Sequence, residues 1–163
     1  MKINNLGYPR IGRRRELKKA CEQFWAGNIS TEELETVAGK LKKENWLVQQ
    51  EQGIDLIPSN DFSYYDQVLD LTFSLGAIPE RYAFLRNDRL ALYFAMARGY
   101  QQKGYDVIAM EMTKWFDTNY HYIVPEFVKD QSFSLFHNKA LAEYKEAKRA
   151  GIETKPVVLG PVS

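Results

Sequence analysis

Apolar positions in this chain recur with two different spacings. Leu17, Ala20, Cys21 and Phe24 stand at i, i+3, i+4 and i+7, which places them on one face of a helix. Gly27 closes that helix, because glycine takes the left-handed backbone that helix ends favour. Ser30 opens the next helix, with Glu33 three residues on as the second half of a capping box. Leu34, Val37, Ala38 and Leu41 form its apolar stripe, and Gly53 ends it. Tyr65, Val68, Leu69 and Thr72 predict a third helix, capped by Ser63 or Asp61. Residues 88–102, rich in Ala, Leu and Met, predict a fourth, and residues 134–149 a fifth that stops at Gly151.

Four short apolar or mixed runs alternate with these segments, and each ends at a proline: INNLGYP (3–9), IDLIP (54–58), HYIVP (121–125) and VVLGP (157–161). Strands alternating with helices predict an α/β fold with a parallel sheet and crossover helices. Proline cannot donate to a sheet ladder, so the four prolines are expected where the strands leave the sheet. They would share the face at the strands' carboxyl ends, where open α/β sheets and (β/α)8 barrels place their sites. Two predicted helices separate the first two strands, and the sequence ends at LGPVS, just past the fourth. A closed barrel needs roughly 250 residues. The expectation is that residues 1–163 form an incomplete N-terminal (β/α)8 barrel domain, truncated after about the fourth strand. No internal repeat and no low-complexity linker interrupts it.

Charge and composition narrow the classes. The 22 basic residues nearly cancel the 21 acidic ones, which argues against general affinity for nucleic acid or membranes. A single cysteine, Cys21, excludes an internal disulfide and points to a reducing compartment. The opening MKINNLGYPR lacks the apolar core of a signal peptide, and no apolar run is long enough to span a bilayer. The expected location is cytoplasmic.

Against that balance, RIGRRRELKK (10–19) is a local concentration: six of its ten residues are Arg or Lys, opposed only by Glu16. With a helix from about residue 13, Arg15, Lys18, Lys19 and Glu22 fall opposite Leu17 and Phe24. That describes a solvated polar face. It also places Arg13, Arg14 and Arg15 in the first turn, where the macrodipole disfavours cations by ~0.3–1 kcal/mol each. A bound anion would relieve that cost and accept the free N–H groups of the turn. Both readings stand on the physics alone. GYPRIGRR has the outline of a P-loop but lacks its Lys-Ser/Thr, and Pro9 removes one amide, so a nucleotide loop is not expected.

EMTKWFDTNYHYIVPEF (111–127) is dense in aromatics and carries one lysine, Lys114, among apolar neighbours. It fits a core strand with Lys114 snorkelling to water, or a pocket wall offering stacking surface and one cation. If 120–124 is the strand, Lys114 precedes it and starts near the face opposite Arg15; the alternatives are a 106–119 loop that wraps over the site, or a strand at 107–112. Asp61, in SNDF, reads as a helix cap rather than a pocket acid. His121, His137 and Cys21 show no metal-ligand spacing. No nucleophile, base and orienting group stand together. Composition and spacing support an anion-binding α/β module.

Three stretches taken together reach further. LGYPRIGRRRELKKACEQFWAGNIS, GIDLIPSNDFSYYDQVLD and EMTKWFDTNYHYIVPEF closely resemble the N-terminal part of the cobalamin-independent methionine synthases, and KPVVLGPVS also fits. The resemblance runs along nearly the whole chain and would cover about the first fifth of such an enzyme. It implies two (β/α)8 barrels packed face to face, the first resembling a duplicate of the catalytic one. It implies methyl transfer from 5-methyltetrahydropteroyltri-L-glutamate to L-homocysteine, without cobalamin, to give methionine. It places a zinc ion, held by His, Cys and acidic ligands, in the C-terminal barrel, where zinc would present the homocysteine thiol as thiolate. Those ligands and the homocysteine pocket lie outside this chain, which is expected to catalyse nothing by itself. The folate-binding motif of the family matches Arg15, Glu16, Leu17 and Lys18, plus Lys114. The basic cluster would then hold carboxylates of the folate polyglutamate tail through charge-assisted hydrogen bonds.

Two readings compete with this one. The chain could be a stand-alone polyanion-binding module without catalysis. It could bind nucleic acid through the basic helix, but Glu32, Glu33 and Glu35 in the next helix break any basic stripe. Exposed strand edges of a partial barrel also predict self-association of the isolated chain.

Overall fold

The computed structural model describes residues 1–160. Two compact units divide them: one of residues Met1–Tyr64 with Lys139–Val158, and one centred on Tyr65–Asn138.

The first unit holds helices α1 (Glu16–Trp25), α2 (Thr31–Glu51) and α5 (Lys139–Arg149), with strands β1 (Ile57–Ser59) and β6 (Thr154–Pro156). The apolar stripe of α1 buries Leu17, Ala20 and Cys21. In α2 the expected capping box is complete: the Ser30 hydroxyl accepts from the Glu33 N–H, and the Glu33 carboxylate accepts from the Ser30 N–H. The strands β1 and β6 pair in parallel, Ile57 opposite Thr154 and Ser59 opposite Pro156. Trp46, Ile57, Ala147 and Ile152 form a buried cluster with Ile54 packed against it. The Trp46 indole N–H, which would otherwise be buried without a partner, donates to the Pro58 carbonyl at 3.1 Å.

The second unit holds α3 (Gln67–Ser74), a 3₁₀ turn at Glu80–Leu85, and α4 (Arg89–Arg98). Two hairpins follow, β2 (Tyr100–Gln102) with β3 (Tyr105–Val107), and β4 (Met112–Lys114) with β5 (His121–Ile123). Leu90 and every residue from Leu92 to Ala97 are buried, so α4 is a core helix. It ends at Gly99, where a Cβ would lie 2.7 Å from the Val107 carbonyl oxygen. Only glycine lets the β3 backbone approach that closely.

The α/β class and a parallel strand pair agree with the sequence reading, and several details correct it. HYIVP does not join a parallel sheet: its strand, β5, pairs antiparallel with β4. INNLGYP makes a single parallel bridge, Asn4 to Leu56, instead of a strand. The last strand lies at 154–156 rather than 157–161, where Pro161 is outside the described residues. Pro58 sits inside β1 rather than at its exit, since a three-residue parallel pair does not need its missing N–H. The fourth helix ends at Arg98 because Gly99 turns the chain into β2, and the fifth starts at Lys139 rather than 134. The third helix is capped by Asp66, not Ser63 or Asp61: its carboxylate accepts from the Leu69 N–H at 2.9 Å.

Candidate ligand-binding turn

The basic segment is a turn followed by a helix. Gly12 takes φ 84°, and the Arg15 N–H donates to the Gly12 carbonyl at 3.2 Å. Arg15 is the N-cap of α1 at φ 63°, with no side-chain cap bond. A non-glycine residue in this region costs about 1–3 kcal/mol and persists where its surroundings hold it. What holds it is Glu16. Its carboxylate folds back so that Oε2 accepts the Arg14 N–H at 2.8 Å, and a Cβ on Gly12 would lie 2.2 Å from that oxygen. Glycine at position 12 is therefore required twice, by its φ and by this contact. Bonds from its own N–H and that of Arg14 hold the Glu16 carboxyl below its ordinary range, and nearby Lys19 and Arg14 add to this.

This corrects the placement of the arginines. Arg13, Arg14 and Arg15 precede the helix, and the first turn carries Glu16, which the macrodipole favours. The three arginines are thus not crowded inside the first turn. Instead, a strained arginine stands beside a carboxylate that shapes the turn around it.

The four residues singled out at 15–18 divide by role. Arg15 is exposed. Lys18 is exposed too, 3.7 Å from Glu22, in an i,i+4 pair of the sort worth about 0.3–0.5 kcal/mol. An anion with several carboxylates competes readily with so weak a partner. Leu17 is fully buried, and its N–H donates to the Ile11 carbonyl, so it anchors the helix and offers a ligand no side chain. Beside the turn lies a groove of about 450 Å³ whose walls include Tyr8, Pro9, Arg13, Glu16, Leu41 and Asn45.

Lys114 belongs to the second unit and is the last residue of β4, opposite His121. This differs from both sequence alternatives, a 106–119 loop or a strand at 107–112: the lysine ends a short exposed strand at 112–114. The Thr118 hydroxyl donates to the Trp115 carbonyl at 2.6 Å and accepts from the Tyr120 N–H at 3.1 Å, which fixes the hairpin's tip.

Asp61 caps no helix. Its Oδ2 accepts the Tyr8 N–H at 2.8 Å, and burial pushes its carboxyl above the ordinary range. Beside it lies a group that the sequence did not reveal. Glu143 and Lys139, two residues of α5, form an ion pair at 3.0 Å that is mostly buried, and both reach Asn60. Lys139 and Glu143 stand 79 and 83 residues from Asn60 in sequence, and only SND, which begins on the last residue of β1, hints at a polar cluster there. Among the described residues, no group of three or more His, Cys, Asp or Glu side chains is placed to hold a metal ion. No helix among them is long and apolar enough to cross a membrane.

Comparison with known proteins adds the family. Residues 2–163 match the profile described as "Cobalamin-independent synthase, N-terminal domain". The chain is 66% identical over 165 residues to the 5-methyltetrahydropteroyltriglutamate--homocysteine methyltransferase of Flavobacterium johnsoniae, with 100% of this chain and 21% of that protein covered. It is 62% identical to the protein of the same name from Cytophaga hutchinsonii, covering 100% of this chain and 22% of the relative. It is 51% identical to a probable enzyme of that name from Schizosaccharomyces pombe, covering 97% of this chain and 22% of the relative. The chain thus spans about a fifth of the length of the curated relatives it matches. With the family profile matched from residue 2 onward, the chain belongs to the cobalamin-independent synthase family, as its N-terminal domain.

Proposed function

We propose that this chain is part of a cobalamin-independent methyltransferase that moves a methyl group from 5-methyltetrahydropteroyltri-L-glutamate to L-homocysteine. Its share of that work is binding the folate polyglutamate. The observation that carries this reading is the turn at 12–18. It joins a strained, exposed Arg15 and a weakly engaged Lys18 on a frame shaped by Glu16, in a chain whose relatives are named for a triglutamate substrate. Arg15 and Lys18 would pair with tail carboxylates, Arg through its fork and Lys as a point charge. Glu16 would hold the turn and Leu17 would fix α1 beneath it. Lys114 supplies a further cation from its own unit.

The same reading makes residues 1–163 an incomplete N-terminal (β/α)8 barrel domain. A helix leading into β6, which runs parallel to β1, is what such a unit requires. On this reading homocysteine and zinc belong to a C-terminal barrel. The proposed setting is cytoplasmic. Exposed Phe127, Val128, Phe133 and Leu135 in the second unit support self-association of the isolated chain.

The test is methionine formation by the full-length protein from homocysteine and the triglutamate methyl donor, with no cobalamin added. Methionine appearing in step with loss of the methyl donor is the expected outcome. Absence of transfer by folded protein would overturn the reading.

A further inference from the structure

We infer that Asp61 is a positioning residue for the basic turn, and that the buried Lys139–Glu143 pair keeps it aimed through Asn60. All four residues belong to the first unit. Asn60 takes φ 62°, a left-handed conformation that asparagine tolerates better than most side chains. Contacts on both its backbone and its side chain hold it there. Its N–H donates to Glu143 Oε2 at 2.7 Å, its side-chain amide donates to the Val157 carbonyl at 2.7 Å, and Lys139 Nζ donates to its Oδ1 at 3.1 Å. Glu143 is 5% exposed, so its charge needs the lysine 3.0 Å away.

With Asn60 so turned, the next residue points at the N-terminal segment. Asp61 Oδ2 accepts the Tyr8 N–H at 2.8 Å, and a Cβ on Gly7 would lie 3.4 Å from both Oδ2 and Cβ of Asp61. The segment is held further upstream by Ile3 N–H on Asp55 and by the Asn5 amide on Gln49. After Tyr8 comes Pro9, with a fixed φ, and then the Gly12 turn that carries Arg15. A bond from N–H to carboxylate is about twice as strong as a neutral one. It sits where it sets the direction in which the chain enters the turn. The buried ion pair of α5 thereby acts on the basic turn through Asn60, Asp61 and Tyr8.

The functional weight of this device rests on the folate-tail reading above. The test uses the full-length protein in four forms: wild type, Asp61→Ala, Asp61→Asn and Lys18→Ala. Each is measured for affinity to triglutamate and monoglutamate folate and for hydrogen exchange at the amides of Tyr8 to Arg15. Asp61→Ala should lose about tenfold in triglutamate affinity, the effect of one charged hydrogen bond acting through position, with monoglutamate changed by less than about twofold. Exchange at Tyr8 and Arg15 should speed up. Asp61→Asn keeps an acceptor oxygen in place and should recover most of both losses. If Lys18→Ala loses the tail preference while Asp61→Ala keeps wild-type affinity or wild-type exchange, the positioning role is overturned. If wild type and Lys18→Ala alike ignore glutamate number, the tail reading falls, and exchange at Tyr8 to Arg15 still decides the tether. Should Asp61→Ala fail to fold, Glu143→Gln takes its place: a tail-selective loss supports the inference, and equal loss on both ligands refutes it.

Discussion

Two ion pairs, one in each unit, show how differently the units use charge. In the second unit Arg81 grips Glu126 through two hydrogen bonds of 2.6 Å each, with side chains 31% and 40% exposed. In the first, Lys139 meets Glu143 at 3.0 Å, with side chains only 15% and 7% exposed. The second unit has the better fork and the first has the drier setting. Good geometry in water yields little, because solvent competes for both charges. A buried pair is different: its members were already desolvated, and losing one strands the other. The first unit therefore depends on its pair and on the Asn60 backbone that the pair holds. The second rests on packing, with α4 sunk in aromatic neighbours such as Phe73 edge-on to Tyr93.

That contrast can be broken most sharply by removing one acid from each pair. Glu143→Ala should destabilise the chain by about 3–5 kcal/mol, since the buried Lys139 charge loses the carboxylate that balances it. Glu126→Ala should cost about 1 kcal/mol or less. Denaturant unfolding of both variants makes the comparison, and equal losses would end it.

A pH titration sharpens the same contrast within the second unit. Asp66 is buried at the head of α3, its Oδ2 accepting the Ile123 N–H at 3.1 Å. Desolvation pushes its carboxyl up to about 6, against the pull of the N–H bonds from Leu69 and Ile123. The folded state thus holds the proton where the unfolded chain has lost it. Stability from this group is present below the ordinary carboxyl range and is lost as pH rises through about 6. A shift of this size is worth on the order of 3 kcal/mol at 1.36 kcal/mol per pH unit. Melting followed from pH 4 to 7 should show that decline in the wild type and a flatter profile in Asp66→Asn.

Smaller effects belong to the surface of the first unit. Ser30→Ala removes half of the α2 capping box and should cost about 1 kcal/mol in thermal unfolding. Glu22→Gln removes the exposed partner of Lys18 and should change stability by less than about 0.5 kcal/mol.

Legibility in the sequence followed the range of the interactions. Helices α1 and α2 could be read because their stripes span several turns and their ends carry local signals: Ser30 with Glu33, Gly27 and Gly53. Strands of three residues carry too little alternation to show direction, so HYIVP reads as a parallel strand although β5 is half of an antiparallel hairpin. Asp61, Ser63 and Asp66 are all plausible caps by type, and only packing selects Asp66. At the basic turn the residues were legible and their conformation was not. Nothing local announces that Arg15 is left-handed or that Glu16 folds back over Gly12. The Asn60 network is hidden because Lys139 and Glu143 lie 79 and 83 residues from Asn60 in sequence.

Whether the turn at 12–18 recognises the glutamate tail, as proposed, is decided by one comparison. Wild-type full-length protein and Lys18→Ala are each titrated with triglutamate and monoglutamate folate. The account predicts a loss of up to ~100-fold for the triglutamate, at 1.4 kcal/mol per decade, and little change for the monoglutamate. Added salt should weaken triglutamate binding more in the wild type than in the variant. Equal losses for both ligands would mean that Lys18 supports the fold or another part of the folate, and would contradict the claim.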